Sequence, residues 1–171
     1  MDFKKNTPAK LVIRTITDTD IEGYRDVLDS VAREKKFLSF FEAPALKDTY
    51  DFVNQNIVDN WPHLIALVDE KIVGWCDISS LDRPIFNHSG VLGIGLLAKF
   101  RGLGIGEKLV NNAIDQAQKK GLTRIELTVR ESNHSAIALY KKLGFKVEGL
   151  HLKAVRVDDI YDNHVSMALL F

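Results

Sequence analysis

Arg101-Gly102-Leu103-Gly104-Ile105-Gly106 places one guanidinium and three glycines within a single turn's length of chain. Glycines let backbone N–H groups approach a bulky anion without a Cβ in the way. The segment follows an apolar run, Val91 to Leu97, of strand length. It precedes Leu109, Val110, Ala113, Ile114 and Ala117, which recur at helical spacing up to Gly121. Strand, glycine turn and helix N-terminus together form an anion site, because amide N–H groups without intrahelical partners converge there and the helix dipole adds partial positive charge. Spacing narrows the anion. A P-loop requires Lys-Ser/Thr after the last glycine, and Glu107-Lys108-Leu109 breaks that pattern. Gly93-x-Gly95-x-x-Ala98 resembles a dinucleotide fingerprint only with its glycines inside the strand and no helix at the required offset. An ordinary tight strand-to-helix turn would carry the same glycines, so the rest of the chain has to decide.

The elements that would position this turn can be read in order. Lys10 to Ile16 alternates as a first strand behind a flexible lead, residues 1–9. Thr17-Asp18-Thr19-Asp20 is an N-cap cluster, and Ile21, Tyr24, Val27, Leu28 and Val31 mark a helix. Phe37 to Ala45 reads as an aromatic loop. A second helix runs from about Leu46 to Asn60, with Tyr50, Val53, Ile57 and Val58 as its apolar side and Pro62 at its end. His63 to Val68 and Ile72 to Ile78 form a hairpin around Asp69-Glu70-Lys71, and the central strand follows a loop, Ser79 to Ser89. Beyond the central helix come a strand, Thr123 to Val129, a helix from about Ser135 to Leu143 stopped by Gly144, and strands Phe145 to Leu150 and Tyr161 to Phe171. The order β-α-α-β-β-β-α-β-α-β-β mixes hairpins with crossovers and predicts a mixed α/β sheet with helices on its faces.

Composition sets the bounds. A chain of 171 residues favours one domain with one substantial core. Net charge is zero, so no basic footprint points to nucleic acid. No apolar run reaches membrane-spanning length, and the N-terminus lacks a signal-peptide hydrophobic region. The single cysteine, Cys76, excludes an intrachain disulfide and fits a reducing compartment. A cytoplasmic protein is the expectation. No histidine pair has metal-ligand spacing, so no metal is expected.

Arg101-x-x-Gly104-x-Gly106 and Asn133-x-x-Ala136-x-x-x-Tyr140-x-x-x-Gly144-Phe145 lie in that order on the expected elements. In both signatures and in element order the chain resembles the GCN5-related N-acetyltransferases (GNAT), most strongly from about Leu92 to Phe145. The resemblance implies one N-acetyltransferase domain over residues 10–171. Its central sheet would be mixed but mostly antiparallel, with about seven strands flanked by about four helices. It implies acetyl-CoA as co-substrate, with the pyrophosphate on the amides of Arg101, Gly102, Leu103, Gly104, Ile105 and Gly106 and charge-assisted contacts from the Arg101 side chain. The pantetheine arm would lie on the main chain of Leu96 and Leu97, where the central strand splays from its neighbour, and Asn133 would contact the cofactor. Asn133 is equally a plain helix N-cap, and the two roles are compatible. Tyr140 takes the position of the catalytic tyrosine. A phenol titrating near ~10 can donate to a nascent thiolate of a thiol near ~8.5 at modest cost. As a core residue it would pack the helix on the sheet.

Relatives often carry a glutamate on the central strand as base, and here that strand has no acid. His88 just before it is a base candidate, with Asp77 and Glu126 on the neighbouring strands as others, and removal of the proton through water stands beside them. For the acceptor, Phe37, Phe40, Phe41 and Glu42 in the aromatic loop would suit an amine bearing apolar bulk. The same phenylalanines could serve as core or dimer contacts. Glu148-Gly149, Arg156-x-Asp158-Asp159-x-Tyr161 and Met167-Ala168-Leu169 resemble the branch that acetylates small molecules and L-amino acids, although Asn163 stands where relatives often place an aspartate. The expected activity is acetyl transfer to a primary amine of a small molecule, by direct attack in a ternary complex. The alternatives are acetylation of a protein N-terminus or lysine, and acyl-CoA binding without catalysis. A homodimer is a family-level expectation.

Overall fold

Among the described residues, seven strands and four helices follow one another in the order the sequence predicts. The structure, a computed structural model, describes residues 10–171; the lead expected over residues 1–9 lies outside them. The strands are β1 (Leu11–Thr15), β2 (His63–Val68), β3 (Lys71–Ser79), β4 (Ser89–Leu96), β5 (Arg124–Arg130), β6 (Lys146–Val157) and β7 (Ile160–Leu170). The helices are α1 (Ile21–Arg33), α2 (Leu46–Val58), α3 (Ile105–Lys120) and α4 (His134–Lys142). One sheet runs β1-β2-β3-β4-β5-β7-β6. Every pairing is antiparallel except β4 with β5.

Strand alternation divides the core between the two faces. Leu64, Ala66, Cys76 and Ile78 pack with α3 and its neighbours on one side; Ile65 and Trp75 pack with α1 on the other. Helix α1 buries Ile21, Tyr24, Val27, Leu28, Val31 and Ala32, the i, i+3, i+4 stripe expected of it. A capping box between Thr17 and Asp20 starts that segment.

Two elements differ from their sequence reading. Helix α2 buries Thr49, Val53 and Asn56, whereas Ile57 and Val58 are exposed. The helix is turned so that Asn56 Nδ2 meets the buried His63 ring at 3.2 Å, and satisfying that polar pair outweighs burying two aliphatic side chains. Strand β6 runs on to Val157, well past Leu150, and forms a long hairpin with β7 through Asp158 and Asp159, both at positive φ. Its residues are mostly exposed, so apolar alternation does not mark it; the Asp-Asp turn does.

The feature that positions the site is a gap. β4 and β5 pair only from Ser89↔Arg124 to Val91↔Glu126, and then diverge. Among the described residues no helix is long and apolar enough to cross a membrane.

Candidate active site

Beyond Val91 the edge of β4 that faces β5 has no strand partner. The Leu97 N–H donates to Val73 O at 2.9 Å, so odd-numbered residues of this stretch bond to β3. By the alternation of an antiparallel ladder, the main-chain groups of Leu92, Ile94 and Leu96 turn toward the gap. Such unpaired N–H and C=O groups can pair with an extended amide-bearing chain as a further strand would. Leu96 lies on this edge, although its carbonyl accepts from the Arg101 Nε at 2.9 Å. Leu97 does not: its N–H is on Val73, and its carbonyl accepts from the Phe100 N–H at 2.9 Å.

At the open end of the gap stands the glycine turn. Gly102 and Gly104 adopt φ of +72° and +78°, and a Cβ built on either would meet nothing within 4 Å. The turn is therefore left-handed and open. The first intrahelical bond of α3 is from Lys108 N–H to Gly104 O, so the N–H groups ahead of it have no helical acceptor. Gly104, the N-cap, has no side chain to satisfy them. These donors and the α3 dipole fit a diphosphate. They line a cleft of about 360 Å³ with Ile94, Leu96, Asn133, Leu139 and Tyr140. Leu103 is exposed and Ile105 buried in the core, so each can serve the anion only through its main chain.

The Arg101 side chain is engaged elsewhere. Its Nε donates to Leu96 O at 2.9 Å, its two terminal nitrogens grip the Glu34 carboxylate, and it lies over the Phe37 ring at 4.6 Å. The expectation of a charge-assisted contact from this guanidinium to the pyrophosphate is corrected accordingly. Arg101 clamps the end of α1 and the aromatic loop to β4, so the donors this turn can offer an anion are main-chain ones. Glu34, held below the ordinary carboxylate range by that hydrogen bond, lies 67 residues away in sequence.

A second cavity, about 410 Å³, opens on the other side of the same strand end. Phe37, Ile94, Asn133 and Tyr140 line both cavities, so the two meet there. Tyr140 is buried, packs against Phe145 with centroids 5.7 Å apart, and has its phenol pushed up by burial and by the neighbouring Cys76. It therefore stays protonated at neutral pH and has a proton to give. Asn133 caps α4 by accepting from Ala136 N–H, as its sequence position predicts.

Asp77 also lines the second cavity. It projects from β3 beside Gly93, where an added Cβ would lie 3.2 Å from its Oδ1. Burial raises its carboxyl from 3.8 to about 7, opposed in part by a hydrogen bond from Trp75. A carboxylate poised near neutrality and a phenol that holds its proton both line this cavity, a candidate base and a candidate acid.

His88 is corrected as a base. It is exposed, precedes the paired end of β4, and lines neither cavity; its carbonyl serves the Thr123 and Arg124 N–H groups. Glu126 lies at the same paired end in an ion pair with Arg124. Of the loop residues, Phe37 and Phe40 line the second cavity. Phe41 and Glu42 do not. Phe41 is exposed under Lys35, and Glu42 is exposed near Arg33. The residues that sequence reading passed over are Trp75, Arg130 and His164, all lining this cavity. Trp75 and Arg130 are large or charged groups at buried strand positions, but only the sheet order shows where they meet.

A model of the acetyltransferase (GNAT) family matches residues 29–145. The L-amino acid N-acetyltransferase AaaT of Escherichia coli K12 is 28% identical over 144 residues, covering 82% of this chain and 86% of that one. The ribosomal protein bS18-alanine N-acetyltransferase of the same organism is 28% identical over 90 residues, covering 53% of this chain and 61% of that one. In fold, the chain is similar to a phosphinothricin acetyltransferase from Sinorhizobium meliloti solved in complex with acetyl-CoA. The TM-score is 0.89 at 17% identity, with 94% of this chain and 88% of that one covered.

Proposed function

Since the chain belongs to the acetyltransferase (GNAT) family and is an N-acetyltransferase with acetyl-CoA as donor, we propose that it acetylates the primary amine of a small molecule by direct attack in a ternary complex. The observation that carries this is the meeting of two cavities at Ile94 and Tyr140, one bounded by anion-binding main chain and the other by Asp77. Acetyl-CoA supplies the activated acetyl thioester. The α3 N-terminus holds the diphosphate, and the free edge of β4 orients the arm that leads to the junction. A main-chain N–H of Leu92 or Ile94 serves the carbonyl oxygen as negative charge develops on it. Asp77 takes the proton of the acceptor ammonium. As the new N–C bond forms and the C–S bond breaks, Tyr140 gives its phenolic proton to the departing sulfur. The nitrogen loses its second proton to water as the amide forms; two protons thus leave the ammonium, Tyr140 regains from solvent the one it gave to sulfur, and one proton is released overall.

The small-molecule reading is favoured over a protein terminus by the enclosure of the second cavity between α1, α2 and the aromatic loop, with Leu28, Phe40, Thr49 and Phe52 on its walls. The similarity to the bS18-alanine enzyme supports the other reading. Thiol release from acetyl-CoA against amino acids, polyamines, aminoglycosides and N-terminal peptides separates them. Turnover is expected with amino acids or their close analogues. Turnover confined to peptides would replace this reading with the protein-terminus one.

A further inference from the structure

We propose that Arg130, with His164 beside it, is a carboxylate-reading subsite of the acceptor cavity, so that the preferred acceptors are amines that also carry a free carboxylate. This rests on the reading of the adjoining clefts as an acetyltransferase site. Arg130 closes β5 and is only 8% exposed. It stands opposite His164 on β7, so both side chains rise from the same face of the sheet, and both line the acceptor cavity. Asp77 lies on the same cavity from β3, with the splayed β4 between the two strands. The cavity thus has an acidic side and a basic side, complementary to a molecule bearing an ammonium and a carboxylate.

The charge on Arg130 is what calls for an anion. Its two terminal nitrogens donate to carbonyls of the aromatic loop, Lys35 O at 2.7 Å and Leu38 O at 3.1 Å. Among the described residues no carboxylate lies within ion-pairing distance of it, whereas Arg14, Arg101 and Arg124 each hold one. The nearest acid by its electrostatic influence is Asp162, and both of its oxygens are occupied, by Ser132 Oγ and by the Asn163 N–H. A guanidinium this buried, hydrogen-bonded to carbonyls and without a carboxylate in contact, is costly to keep, and a substrate carboxylate would compensate it. His164 is held toward its neutral form by burial and by Arg130, which leaves a ring N–H able to donate to the same anion. Loop carbonyls give Arg130 a structural role too, so the test must read discrimination as well as activity.

The experiment compares kcat/KM for free amino acids with that for their carboxamides, in the intact enzyme with acetyl-CoA. The carboxamide has the less basic amine and would be the better nucleophile at neutral pH, so intrinsic reactivity opposes the expected order. The wild type should favour the acid by about 100-fold. Arg130→Gln should lower kcat/KM for the acid to near that for the amide, with the amide's value and the KM for acetyl-CoA kept within about three-fold. Arg130→Lys should retain part of the preference, having the charge without the fork. If the glutamine variant does not fold, the wild-type ratio alone decides. Equal values for acid and amide in the wild type, or a loss in Arg130→Gln shared equally by both, would overturn the subsite and leave the acetyltransferase reading intact. Turnover of peptide termini alone would overturn both.

Discussion

Asp77→Asn is expected to lower kcat/KM for the amine by 10²- to about 10⁴-fold, the range of a lost general base, with little change in acetyl-CoA binding. The wild-type rate should fall as pH drops through about 7, where the buried Asp77 carboxylate takes up its proton. The variant should lose that limb and keep only the titration of the amine itself. A second consequence runs the other way. The unfolded chain releases this proton near 3.8 and the folded chain near 7, because burial raises the folded value. The unfolded state therefore gains on the folded state as pH rises from about 4 to about 7, and the cost is fully present above 7. That cost is at most about 4 kcal/mol, and Asn carries none of it. Urea unfolding should find Asp77→Asn stabilised relative to wild type at pH 8, and the gap should shrink toward pH 4. An inactive but more stable variant is the signature of a group kept for chemistry at the expense of the fold. Unaltered kcat/KM, or a variant destabilised equally at both pH values, would remove Asp77 from this role.

Tyr140→Phe is the second large effect. The ring packs against Phe145 and the α4 side of the core, contacts that phenylalanine keeps. Among the described residues the fully enclosed side-chain polar atoms without a partner are His63 Nε2 and Ser89 Oγ, and the Tyr140 hydroxyl is not one of them, so it reaches the cleft space that its side chain lines. Its removal should leave the thermal midpoint and the KM for acetyl-CoA nearly unchanged while kcat falls by about 10²-fold or more. A merely structural tyrosine would give the reverse, a lowered midpoint with kcat retained.

The order of elements along the chain, the glycine turn and the Asn133 cap were legible because each rests on a local pattern: alternation, helical spacing, or a residue type suited to one backbone state. What was not legible is what depends on register between distant strands. Asp77 is one of three base candidates in the sequence, and only the register shows that it, and not His88 or Glu126, faces a cavity. Its neighbour Gly93 is the β4 residue paired with it, and the missing Cβ there leaves room for the carboxylate. A glutamate on the central strand was the position to expect from relatives; here the acid stands one strand over, against a glycine. Arg101 matched the phosphate motif by type and spacing, yet Glu34 at the end of α1 claims its guanidinium. His88 looked suitable because it precedes the central strand, but the chain enters β4 at its paired end, remote from the cavities. Arg130 becomes meaningful only once β7 brings His164 opposite it.

The central claim is that both substrates meet at the β4 opening and that the acetyl group passes directly between them. Initial rates measured over a grid of acetyl-CoA and amino-acid concentrations test it most directly. The account predicts intersecting reciprocal plots, with no acetyl adduct on the protein by intact mass, Cys76 being buried and its thiol pushed up by burial. Parallel plots together with an acetylated protein would contradict it, placing a covalent step where the geometry has been read as direct transfer.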